Sequence, residues 1–217
     1  MDPSHLGPDH YMHPSQVDLV EVLGPPPAPD SPQGQEDLQA VIEAQRSRTP
    51  EAIAEAKTNA CFSILAFSNV MGPAFQRAKL PFTTMFFQRI FDDGMHGVAT
   101  AKKAFNRPRP FVADKQITPL VPQPANASYP SGHATFAYMT AILLASMVPE
   151  KAPAIFARAA AFAHSRVDAG VHYPSDLAAG RVAAAVIDNV LLHDAAFDAD
   201  LAKARIEVRA ATALPSP

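Results

Sequence analysis

Residues 130–148 read Pro-Ser-Gly-His-Ala-Thr-Phe-Ala-Tyr-Met-Thr-Ala-Ile-Leu-Leu-Ala-Ser-Met-Val. The mostly apolar run from Ala134 to Val148 is 15 residues long, between His133 and Pro149. A membrane-spanning helix needs roughly 20 such residues, so the stretch predicts a helix from about Ser131 to Met147 that does not cross a bilayer. Downstream, helical spacing predicts helices over Pro153–Asp168, Pro174–Leu192 and Asp198–Ala211. Upstream, a helix is expected from Phe82 to about Phe105, with Gly94 and Gly97 as points where it bends. Thr49-Pro50-Glu51 reads as N-cap, first-turn proline and first-turn acid of a helix reaching about Phe67. Leu38, Val41 and Ile42 repeat at helical spacing before it. Neither an alternating strand pattern of useful length nor an internal repeat is present. The fold class is all-α, a single compact helical bundle over residues 34–217, with Met85, Phe86, Phe87 and Phe91 in its core.

Residues 1–33 differ in kind. Eight of the 22 prolines lie there, and Pro25-Pro26-Pro27 forbids helix, so an extended Pro-rich N-terminal arm is expected. His5, His10 and His13 fall in this arm and read as solvated. Met1–Gly34 is acidic, polar and proline-rich, with no basic start followed by an apolar stretch, so no signal peptide is visible in the chain. A formal net charge of −3 gives no overall pull toward a nucleic-acid polymer or anionic lipid. The single cysteine, Cys61, excludes an intrachain disulfide and, within an apolar run, reads as a buried, inert thiol.

Three blocks carry chemistry: Lys102-x6-Arg109-Pro110, Pro130-Ser131-Gly132-His133, and Ser165-Arg166-x5-His172-x3-Asp176. With every fixed letter present and in order, the chain resembles the phosphatidic acid phosphatase type 2 superfamily. That group includes soluble bacterial class A non-specific acid phosphatases, membrane lipid phosphatases and vanadium haloperoxidases. The Leu23–Pro27 entry and the Asn126–His133 approach also resemble the class A enzymes.

The residues explain the chemistry by themselves. Phosphoryl transfer spreads negative charge over three equatorial oxygens, which fixed cations and N–H donors must hold. Lys102, Arg109 and Arg166 supply the cations, the arginines being able to grip two oxygens at once. Ser131 and Gly132 open a helix, so their backbone N–H groups are expected to bind phosphate, with glycine permitting close approach. His172 and Asp176 stand one helical turn apart. The carboxylate would accept from one ring nitrogen and leave the other free to attack phosphorus. His133 would protonate the departing oxygen and later activate water. In the family the matching histidines have these roles, so the resemblance implies them here. A helix N-terminus disfavours protonated His133 while a bound phosphate dianion favours it, and an acidic optimum is expected.

Blander readings stand beside these. His172 and Asp176 could ligate a metal, but the three cations of the constellation would repel it. Lys103 and Arg107 read as plain surface charge, Asp92 and Asp93 as a solvated pair, and His164 as a packed or surface histidine. Ser165 suits helix capping or the orienting of Arg166; His96 and His193 fit no motif.

The resemblance implies a phosphomonoesterase, an acid phosphatase of the hydrolase class that forms a phosphohistidine. Organic phosphomonoesters are its small-molecule substrates, and some relatives also transfer phosphate. It implies no cofactor, with vanadate as an inhibitor, a periplasmic or secreted location, no integral membrane insertion and a homo-oligomer. The alternatives are a vanadium-dependent haloperoxidase, which would hold vanadate as cofactor in the same cradle, and a lipid or pyrophosphate phosphatase. The third block, Val171-His172-Tyr173-Pro174-Ser175-Asp176, is closer to the lipid phosphatase branch.

Overall fold

A computed structural model describes residues 6–215, and His5 lies outside them. Among these residues there is no strand. The α-helices are α1 (Leu19–Leu23), α2 (Pro32–Ser47), α3 (Pro50–Thr58), α4 (Ser68–Met71), α5 (Pro81–Phe105), α6 (Pro110–Ala113), α7 (Gly132–Met147), α8 (Ala152–Asp168), α9 (Pro174–Leu191) and α10 (Ala195–Ala211). No helix among the described residues is long and apolar enough to cross a membrane.

α7 is the central helix because its sequence leaves no polar face. Thr135, Phe136, Ala137, Ala141 and Leu143 are all buried although they point in different directions around the axis. α8 and α9 pack along it, α5 and α10 pack on each other at one side, and α2 and α3 lie on α8. Close approach of α9 to the start of α7 depends on Gly180, where a Cβ would fall 2.7 Å from the Ser131 carbonyl oxygen. Gly94 and Gly97 lie within one continuous helix and serve the same purpose: Met139 packs on the first and Leu19 on the second.

Several expectations change, and Met85 is one: it is exposed on α5 rather than in the core. The helix that begins at Pro50 stops at Thr58, where Asn59 caps it, and the chain turns through Ile64–Phe67 before α4. The N-terminal arm is only partly extended. Asp18 caps α1 by accepting from the Val20 and Glu21 N–H groups. Tyr11, Met12, Val17 and Leu19 enter the main core. Asp92 and Asp93 are not a solvated pair; both are buried in α5. Asp93 accepts from the backbone N–H groups of His10 (2.8 Å) and Tyr11 (2.9 Å), which fastens the arm to the bundle. Without those bonds a carboxylate at that depth would be strongly destabilising.

A second, smaller apolar cluster around Val41, Ile42, Phe111, Ile117, Val167 and Val171 holds α2 against the segments on either side of α9's N-terminus. It positions the loops that carry the motif residues.

Candidate active site

The three sequence blocks meet at one end of α7. Lys102 is in the last turn of α5, whose helix closes on Asn106 in the left-handed conformation (φ 46°). Arg109 precedes α6, Ser131 caps α7, His133 is in the first turn of α7, and Arg166 lies in the last turn of α8. His172 sits in the turn between α8 and α9, and Asp176 in the first turn of α9. Lys102, Arg109, Gly132, His133, Arg166 and His172 line a cavity of about 580 Å³. Asp176 lies behind His172 and Ser131 beside the cavity wall. The Ser131 N–H donates to the Asp176 carbonyl at 3.0 Å, so the donors that α7 turns toward the cavity start at Gly132, not at Ser131.

His172 is fixed from behind. Its Nδ1 is 3.1 Å from Asp176 Oδ2, to which the Ser128 hydroxyl also donates at 2.5 Å. The Tyr173 N–H adds a third bond to the same oxygen at 2.9 Å. An ionised Asp176 therefore places the ring proton on Nδ1 and leaves Nε2 as a lone pair at the cavity, 3.2 Å from an Arg109 nitrogen. Burial, then the Arg109 and Lys102 charges, lower the imidazole's pKa to about 3. Burial pushes Asp176 up, but the His172 bond and charge, Arg107 and Ser128 hold it well below the usual carboxylate range. His172 is a neutral, oriented base.

His133 stacks on Phe62, ring centroids 4.0 Å apart, and its Nε2 is 3.1 Å from the Ala60 carbonyl. Burial, then the Arg166 charge, keeps its pKa well below 6.5. The imidazole is therefore neutral near neutral pH.

The cations are held by carbonyl groups. Lys102 Nζ donates to Ala127 O (2.6 Å) and Ser128 O (3.1 Å). Arg109 donates to Asn126 O, Asn126 Oδ1 and Val171 O. Arg166 donates to Ala56 O and to Ser165 Oγ, the orienting contact expected of Ser165. Burial, then Arg109, lowers Lys102 well below its ordinary pKa. Burial alone brings both arginines to about 10.

Arg107 is the largest departure from the sequence reading. It is buried rather than a surface charge. It donates to Asp176 Oδ1 at 2.7 Å and to Asp37 Oδ2 at 2.8 Å, with its guanidinium 4.1 Å above the Tyr173 ring. Asp37, from α2, also accepts from the Ser175 N–H and hydroxyl. No sequence signal marked Arg107 or Ser128. Asp37 did carry one: it lies one helical turn before Val41, a carboxylate on an apolar stripe. Cys61 is exposed on the cavity rim rather than buried. His164 and Lys103 are exposed, His96 Nδ1 pairs with Asp9 at 3.2 Å, and His193 Nδ1 meets Asn189 O.

Four buried cations, Lys102, Arg107, Arg109 and Arg166, thus stand with two buried carboxylates, Asp37 and Asp176. Basic side chains therefore outnumber carboxylates around a cavity that also holds an oriented imidazole, a setting suited to an anion.

Residues 61–198 match the sequence model of the PAP2 superfamily, and the chain belongs to that family. It is 33% identical to the non-specific acid phosphatase of Salmonella typhi, over 86% of this chain and 78% of that one. It is 30% identical to the acid phosphatase of Zymomonas mobilis, over 89% and 76%. Its fold is similar to that of a bacterial vanadium-dependent iodoperoxidase at a TM-score of 0.60 and 19% identity, covering 78% of this chain and 51% of the other. It is also similar to a transmembrane PAP2-type phosphatidylglycerolphosphate phosphatase from Bacillus subtilis, at 0.54 and 18%, covering 79% and 90%.

Proposed function

We propose that the protein hydrolyses phosphate monoesters through a covalent phosphate on Nε2 of His172, with no metal ion. The coarser part, a phosphatase of the hydrolase class, follows from the family and from relatives named as acid phosphatases. The surplus of buried basic side chains over carboxylates beside the Nε2 lone pair supports the finer part. A phosphate monoester dianion balances that excess; a divalent cation would add to it.

In the first step Nε2 attacks phosphorus, the P–N bond forms and the P–O bond to the alcohol breaks. The leaving oxygen takes a proton from His133. Asp176 stabilises the positive charge that His172 acquires. In the second step water attacks phosphorus, gives its proton to His133, and the P–N bond breaks. His133 can act as an acid only once the dianion has raised its pKa, and it must exchange the Ala60 carbonyl for the ester oxygen. Lys102, Arg109, Arg166 and the Gly132 N–H hold the equatorial oxygens. Following the resemblance, we place the enzyme in the periplasm or outside the cell.

The test is phosphate release from p-nitrophenyl phosphate in excess EDTA, beside His172→Ala, with acid-labile, base-stable protein-bound phosphate sought after rapid quench. Turnover in EDTA with phosphate on the native protein and none on the variant is expected. Turnover surviving in His172→Ala would overturn the nucleophile, and loss of turnover in EDTA the metal-free reading.

A further inference from the structure

The cavity is larger than the cradle. On α5, Met95, Val98 and Ala99 share the face that ends in Lys102, so this wall runs back about 10 Å from the phosphate end. Phe62, which packs against Phe91 of α5, and the segment with Val121 and Pro122 complete this lining. Among the described residues lining this half there is no charged group. Its one amide, Asn126, already gives its oxygen to Arg109 at 2.6 Å. A sugar or nucleoside would bring several hydroxyl and amine groups into a space whose side chains offer them little beyond the Asn126 amide nitrogen and the Cys61 thiol. Leaving polar groups unpaired on burial is costly. A second phosphate would find no second cluster of cations.

We propose that this half of the cavity is a leaving-group subsite that selects phosphate monoesters of apolar alcohols, alkyl or aryl, over those of polyols. The inference rests on the proposed phosphatase reading and adds what the rest of the ester must be. The charged cradle supplies attraction for any phosphate, so discrimination between esters comes from Met95, Val98, Ala99 and Val121. Prolines at 122 and 124 restrict the backbone of the facing segment, so it is preorganised rather than assembled around the substrate.

Primary alkyl phosphates test this cleanly, because ethyl, butyl and hexyl phosphate share one leaving-group chemistry and differ only in apolar surface. kcat/KM of the full chain should rise along the series by at least about tenfold overall, with a ceiling of about fourfold per buried methylene. Glycerol 1-phosphate, near butyl phosphate in size, should fall below it. Val121→Asn or Ala99→Asn, neutral polar replacements in the wall, should bring the hexyl-to-ethyl ratio toward one. A flat series, or glycerol phosphate matching butyl phosphate, overturns the subsite even if every ester is hydrolysed. Should no ester turn over, the hydrolytic reading fails separately. Calorimetric binding of ethyl- and hexylphosphonate then decides the subsite: tighter hexyl binding supports it and equal affinities reject it.

Discussion

Arg107 holds Asp176 from the side opposite His172: its guanidinium meets Oδ1 at 2.7 Å while the imidazole meets Oδ2 at 3.1 Å. The carboxylate is therefore shared between a permanent cation and a ring that would become cationic only in the proposed reaction. Asp37, bonded to the other arm of Arg107, offsets part of that permanent charge. Asp176 thereby keeps enough negative character to stabilise imidazolium. Arg107 and Asp37 do not line the cavity, so they act through Asp176 as positioning residues.

Arg107→Ala would leave two buried carboxylates without their shared cation. Breaking a buried pair in this way costs about 3–5 kcal/mol. A fall in melting temperature is expected, together with a loss in kcat that exceeds any rise in KM. Arg107→Lys should recover only part of either, since one ammonium cannot reproduce the fork across Asp37, Ser175 and Asp176. A stable Arg107→Ala enzyme with unchanged kcat would remove the residue from the account.

The same pocket sets an acid limit on stability. His172 binds a proton below about 6.5 when unfolded but only below about 3 when folded. Between those values the unfolded chain holds more protons, so lowering the pH through that window destabilises the fold. His133, also lowered, acts in the same direction. Asp176 adds to it once the pH drops below its unfolded value of 3.8. The melting temperature should fall from pH 7 to pH 4, less steeply with His172→Asn, and inorganic phosphate should counter the fall. Asp93 and Asp188, whose carboxyl pKa values burial raises, act in the opposite direction, so the contrast between the two proteins decides. A midpoint that falls as steeply in His172→Asn as in the native protein would contradict this reading of the buried histidines.

What could be read from the sequence follows from which features are local. α7 announced itself through an apolar run with capping residues, and α9 through Pro174 in its first turn. That His172, Asp176 and the three cations come together at one cavity was legible from the three motif blocks and the family they resemble. Arg107 was not, since an arginine in a proline-flanked turn looks solvated until α2 brings Asp37 against it. The arm misled in the same way. Its prolines speak for extended chain, while the burial of Tyr11 and Leu19 depends on Asp93 and Gly97, more than 75 residues away. Cys61 was misjudged because the helix expected to carry it into the core ends at Thr58.

Vanadate takes up the five-coordinate geometry of a phosphoryl transition state, so it should inhibit competitively against any ester the enzyme accepts. If Nε2 of His172 bonds to the central atom, His172→Ala should weaken vanadate far more than it weakens inorganic phosphate. Paired inhibition constants measure this. Equal losses for the two anions would mean that Nε2 does not bond to the central atom.

Two glycines separate packing from chemistry. A Cβ on Gly180 would lie 2.7 Å from the Ser131 carbonyl oxygen and 2.8 Å from the Ala134 Cβ. The first neighbour is backbone and cannot turn aside, so Gly180→Ala must push α9 from α7. Overpacking of this kind costs about 1–3 kcal/mol. Because α9 carries Asp176 and α7 carries Gly132 and His133, kcat should fall along with the melting temperature. A Cβ on Gly132 would meet only Met95 Sδ at 3.6 Å and Val98 at 3.8 Å, ordinary contacts on the cavity wall. Gly132→Ala should therefore melt like the native protein yet lose activity, since its methyl group occupies space beside the N–H groups that would face phosphate. Thermal unfolding and p-nitrophenyl phosphate kinetics on both variants decide it. If Gly132→Ala were fully active, the α7 N-terminus would not approach the substrate closely, and the side-chain cations alone would form the cradle.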